Sequence, residues 1–92
     1  MQRSKNTQLL IDHISSYTAF QQRTLKAVGE GRELDRIARI LWPGVEGPLL
    51  LSAAAALAKL IRLGVVMKDT EGQVPLYKLT VKGKTVQQTY LH

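Results

Sequence analysis

Leu9, Leu10, Ile14 and Tyr17 recur at helical spacing, with His13 on the same side. The pattern predicts a helix over Asn6 to Ser16, capped by Asn6 or Thr7. Thr18-Ala-Phe-Gln21 then reads as a capping box, in which a threonine hydroxyl accepts the third amide and a glutamine reaches back. A second helix is therefore expected from Thr18. It carries Phe20, Leu25 and Val28 inward and stops at Gly29-Glu30-Gly31. The rival reading is one bent helix over 7–28.

A third helix is predicted from Arg32 to Trp42, with Leu34, Ile37, Ala38 and Leu41 as its apolar face. Glu33 and Asp35 suit its positive end, and Pro43-Gly44 ends it. Pro48 is expected at the first position of a fourth, alanine-rich helix that runs to Leu63 and closes at Gly64. Leu49, Leu50 and Leu51 are read as core, or, if the helix starts later than Pro48, as partly exposed and marking a protein interface; Trp42 is read as a plug at a helix end. After Gly64 the period changes. Val65–Lys68 and Leu76–Thr80 read as two strands of a hairpin around Asp69-Thr-Glu-Gly-Gln73. The tail from Val81 to His92 is expected to be a terminal helix with Val86 and Tyr90 on one face. The class is mainly α with a small β-hairpin, an α+β fold in one domain.

The chain has 92 residues, no cysteine, 45% hydrophobic and 22% charged residues, which describes an ordinary globular domain. Two histidines without cysteines make a metal site unexpected. The longest charge-free stretch of the apolar middle, Gly47 to Ala58, falls short of the ~20 residues that a membrane span needs. The residues before Leu9 lack a secretory h-region, so a cytoplasmic setting is expected. Gly83-Lys84-Thr85 ends like a phosphate-binding loop, but Lys78 stands where that motif needs its first glycine. No Ser/His/Asp set or paired carboxylates stand out, so neither an enzyme nor a cofactor is expected. The net charge of +6 is spread evenly along the chain and favours a polyanionic partner.

Three stretches carry a family resemblance. Thr18-Ala-Phe-Gln-Gln-Arg-Thr-Leu25 is similar to the first core helix of a winged helix-turn-helix. Leu57-x-x-Leu60-x-x-x-Gly64-Val65-Val66 resembles the end of its recognition helix entering the wing. Tyr77-Lys-Leu-Thr80-Val-Lys-Gly83 resembles the second wing strand and the turn after it. In this order the chain resembles MarR-like and PadR-like transcriptional regulators over roughly 18–85, with 1–17 as an added N-terminal helix and 86–92 as a tail.

The resemblance implies a small regulator that binds double-stranded DNA as a homodimer. Helix 48–63 would enter the major groove and the hairpin tip would reach the backbone or minor groove. The positions aligned with the groove read Ser52-Ala-Ala-Ala-Ala56, and alanine offers a base edge only contact with a thymine methyl. Ser52, Ala55, Lys59 and Arg62 on this helix, Lys68, Thr70, Gln73 and Lys78 on the hairpin, and Arg36 and Arg39 on the supporting helix form the candidate DNA surface. It suits phosphate contacts better than base reading. Asp69 and Glu71 add negative charge at the hairpin tip. Leu10, Ile14, Tyr17, Val86 and Tyr90 form the candidate dimer seam. A second reading is a winged-helix module that binds protein, with the alanine-leucine helix as its interface.

Overall fold

A computed structural model describes residues 17–90, and of Tyr90 only the backbone. The expected helix over 6–16, with His13, lies outside them. The Thr18 hydroxyl accepts the Gln21 amide at 3.0 Å, and the Gln21 side chain accepts the Thr18 amide at 2.9 Å. This capping box starts α1 at Ala19–Val28. Thr18 has extended backbone, φ −71° and ψ 163°, so no single helix runs through it. α2 spans Leu34–Leu41 and α3 spans Leu50–Arg62. β1, Val66–Asp69, pairs antiparallel with β2, Leu76–Leu79, in the register Val66 to Leu79 and Asp69 to Leu76. α4 follows at Val81–Tyr90. Four helices and a two-stranded hairpin make an α+β fold among the described residues.

One core serves all of these elements. Leu25 and Val28 of α1 meet Ile37 and Leu41 of α2 and Leu57 and Leu60 of α3. Val65, Val66, Tyr77, Leu79 and Val86 close it from the hairpin and α4. Trp42 packs against it from the end of α2, as expected of a plug. α3 leaves its last turn through Gly64 at φ +80°, a conformation that costs a side-chain-bearing residue about 1–2 kcal/mol. That turn lets the chain come back as β1.

Three features depart from the sequence pattern. Arg32 does not open a helix. Its amide and carbonyl pair with those of Tyr77 at 3.1 and 2.8 Å, which pins the α1–α2 connection to β2 and delays α2 to Leu34. α3 begins two residues after Pro48, and Leu49, Leu50 and Leu51 are not core. Ala53, Leu57 and Leu60 set the helix phase toward the core, and about 100° of turn per residue carries Leu51 to the far side, where it is 89% exposed. Phe20 is also at the surface. Its ring lies 5.8 Å from that of Trp42, with the Arg23 guanidinium 5.6 Å from its centroid.

The Thr80-x-x-Gly83 motif ties the hairpin to α4. The Thr80 hydroxyl accepts the Gly83 amide at 3.0 Å, an N-cap, and donates to the Gly64 carbonyl at 2.6 Å. The Thr80 amide donates to the Val65 carbonyl at 3.1 Å. Lys82 Nζ donates to the Leu63 carbonyl at 3.0 Å, at the end of α3. One threonine thus joins the exit of α3, the start of β1 and the start of α4.

Candidate nucleic-acid interface

α3 has two unlike faces. Ala53, Leu57 and Leu60 are buried, while Ser52, Ala55, Lys59 and Arg62 are exposed. At about 100° per residue those four fall within an arc of roughly 80°, opposite the buried three. Ser52 to Arg62 is a stripe about 15 Å long at ~1.5 Å per residue. The structure therefore brings these four sequence candidates together on one surface. Leu51 and Ala58 share that surface. Leu51 is exposed because α3 starts two residues after Pro48, the case in which the sequence pattern brings these leucines to the surface.

The hairpin candidates divide into two kinds. Thr70 and Gln73 are exposed in the loop between the strands. Lys68 is exposed too, with its ammonium 5.8 Å from the centre of the Tyr77 ring. Lys78 is engaged within the molecule, since its Nζ donates to Asp69 Oδ2 at 2.7 Å. This hydrogen bond, with the Asp69 charge, holds the Lys78 ammonium above its usual range. The Lys78 hydrogen bond, and then the Glu71 amide on Asp69 Oδ1 at 3.0 Å, hold the Asp69 carboxyl below its usual range. The acidic residue at the hairpin tip thus has a structural role: it folds the turn and neutralises Lys78.

On α2, Arg36 and Arg39 are both exposed. Arg39 Nε donates to Asp35 Oδ1 at 2.6 Å, one helical turn away, so its charge is compensated locally. The cations of the candidate surface without such a carboxylate among the described residues are Arg36, Lys59, Arg62 and Lys68.

The candidate dimer seam is corrected at two positions. Tyr17 and Val86 belong to the core of their own chain, and Val86 is only 2% exposed. α4 folds back onto α1, where Gln87 Nε2 donates to the Leu25 carbonyl at 3.4 Å, so Val86 is covered within the chain. Leu10 and Ile14 lie outside the described residues, as does the side chain of Tyr90. Among the described residues no cluster of three His, Cys, Asp or Glu side chains could hold a metal ion. No described helix is long and apolar enough to cross a membrane. No protein-family model, curated protein or solved structure matches this chain.

Proposed function

We propose that the chain is a winged helix-turn-helix module that holds duplex DNA mainly through its phosphates. α3 would be presented to the groove, with the hairpin as the wing. The observation that carries this reading is the exposed stripe of Ser52, Ala55, Lys59 and Arg62 on α3, the helix that turns through Gly64 directly into the hairpin. Lys59 and Arg62 supply charge at one end of the stripe. The small side chains at Ser52 and Ala55 allow close approach without demanding particular bases. Sequence preference would then come from DNA shape and deformability. The net charge of +6 supports a polyanionic partner.

One observation favours a second reading, that of a module docking on another protein. Leu51 is 89% exposed, and with Ala55 and Ala58 it makes the N-terminal part of the stripe apolar. Such a patch is more at home in a protein interface than against phosphates. Fluorescence anisotropy on a random-sequence duplex separates the two. Affinity that falls steeply as salt is raised supports the DNA reading. No binding at micromolar protein and low salt overturns it in favour of the second.

A further inference from the structure

A second basic surface lies away from α3. Between α1 and α2 there is an open cleft of about 450 Å³ lined by Arg23, Lys26, Ala27, Arg32, Ile40 and Leu41. Three of its six described lining residues are cations, and none of the six is acidic. No residue of α3 or of the hairpin lines it. Arg23 and Lys26 are three residues apart on α1 and share a face. Arg32 reaches in from the α1–α2 connection.

The two arginines are held by helix ends. Arg32 Nη1 donates to the Ala27 carbonyl at 2.8 Å, and Arg23 Nη2 to the Leu41 carbonyl at 3.5 Å. A guanidinium has five N–H donors, so one internal bond orients it and leaves the others available. Lys26 has no hydrogen-bond or ion-pair partner among the described residues. The C-termini of α1 and α2 contribute about half a negative charge each, which leaves the cleft with roughly two uncompensated positive charges. A phosphate monoester carries about −1.5 to −2 at neutral pH. Planar guanidinium groups match phosphate oxygens in pairs. Ile40, 40% exposed, adds an apolar wall beside the cations. A helix-capping role accounts for one N–H of each arginine but not for Lys26 or for the exposed isoleucine.

We infer that this cleft binds a phosphate monoester, with Arg23, Lys26 and Arg32 on the phosphate and the organic part of the ligand against Ile40. The inference stands apart from the reading of α3. The monoester has two possible sources, a free small phosphate ester or the 5′-terminal phosphate of a nucleic acid.

The test is an NMR titration of the intact chain with phenyl phosphate. Saturating shifts at Ala27, Ile40 and Leu41, and not at Lys59 or Lys84, are expected. Inorganic phosphate should move the same residues with weaker affinity, because it makes no contact with Ile40. Lys26→Gln disturbs no hydrogen bond or ion pair among the described residues and should weaken binding about tenfold, the scale of one lost charge-assisted hydrogen bond. Arg23→Gln with Lys26→Gln, with its fold checked by circular dichroism, should abolish saturation. A 5′-phosphorylated duplex that displaces phenyl phosphate, where its 5′-hydroxyl counterpart does not, identifies a nucleic-acid end as the ligand. No displacement by either duplex identifies a free ester. Shifts that fail to saturate, spread evenly over all lysines, or persist unchanged in Lys26→Gln would overturn the inference.

Discussion

Gly83 in the first turn of α4 lies directly against the backbone carbonyl of Val65 at the entrance of β1. A Cβ at this position would overlap the carbonyl oxygen and stand 2.9 Å from the carbonyl carbon. Backbone cannot rotate away as a flexible side chain can, so α4 would have to move off the hairpin. Gly83→Ala is expected to cost about 1–3 kcal/mol, the range for overpacking. Gly72→Ala is the control. Its Cβ would meet only the Val74 carbonyl at 3.8 Å, an ordinary contact, and its φ is not positive. Urea denaturation should place the two variants apart, with Gly72→Ala at or slightly above the wild-type midpoint.

Gly64 tests a different cost. Nothing crowds it, since the nearest heavy atom to a Cβ would be Lys82 Nζ at 4.0 Å. Its φ of +80° alone makes substitution unfavourable. Gly64→Val should lose about 1–2 kcal/mol through backbone conformation, and Gly64→Asn less, because asparagine visits this region more readily. Thermal denaturation that leaves Gly64→Val unchanged would contradict the assigned exit from α3 into β1.

Thr80 joins the exit of α3 to the start of α4 through one hydroxyl. Thr80→Val keeps the shape but leaves the Gly83 amide without its cap and the Gly64 carbonyl without its donor. The expected loss is about 0.5–2 kcal/mol, the range for an N-cap. Thr80→Ser keeps both hydrogen bonds and should recover most of it. Equal stability of the valine and serine variants would show that the hydroxyl is not a joint.

The Asp69–Lys78 pair gives a pH dependence with a defined sign. Asp69 is held below its usual range, so its contribution is present above the unfolded carboxyl value and is lost as acid protonates it in the folded chain. Lys78 is held above its usual range, so its contribution is present through neutral pH and is lost only as alkali deprotonates the folded lysine. Asp69→Asn should therefore flatten the acid limb of stability against pH below about 4. Both groups are solvent-accessible, so the effect should shrink in high salt. An acid limb unchanged by the substitution would contradict the pairing.

The elements that rest on local chemistry were legible in the residues. The Thr18–Gln21 box, the glycine exit at Gly64 and the two strands need only neighbours to form; the box and the exit stand where the pattern puts them, and each strand lies within one residue of its expected bounds, with Asp69 in β1 rather than in the turn. What depends on distant partners was not legible. The Arg32–Tyr77 pairing uses backbone alone, joins residues 45 apart in the chain and leaves no mark on side-chain pattern. Val86 was read as seam because its burial comes from α4 folding back, which periodicity cannot show. Leu49–Leu51 reads as core if the helix opens at Pro48 and as exposed if it opens later; the start at Leu50, with the phase set by Ala53, Leu57 and Leu60, exposes all three. The same phase puts Ser52, Ala55, Lys59 and Arg62 on one exposed face, while Ala53 of the expected groove-facing run Ser52–Ala56 is buried in the core. All four lie beyond the helix start, where spacing by three and four is reliable.

The measurement that bears most directly on the proposed function is the salt dependence of duplex binding by the wild type and by Lys59→Ala with Arg62→Ala. Both side chains are exposed and neither has a hydrogen-bond or ion-pair partner among the described residues, so the double variant should fold normally. Each phosphate contact contributes about 0.9 to the slope of log affinity against log salt. The proposed function predicts a slope shallower by roughly two units in the double variant, with affinity lowered to a similar extent on unrelated sequences. Wild-type affinity and an unchanged slope would contradict it and assign the exposed face of α3 to a protein partner.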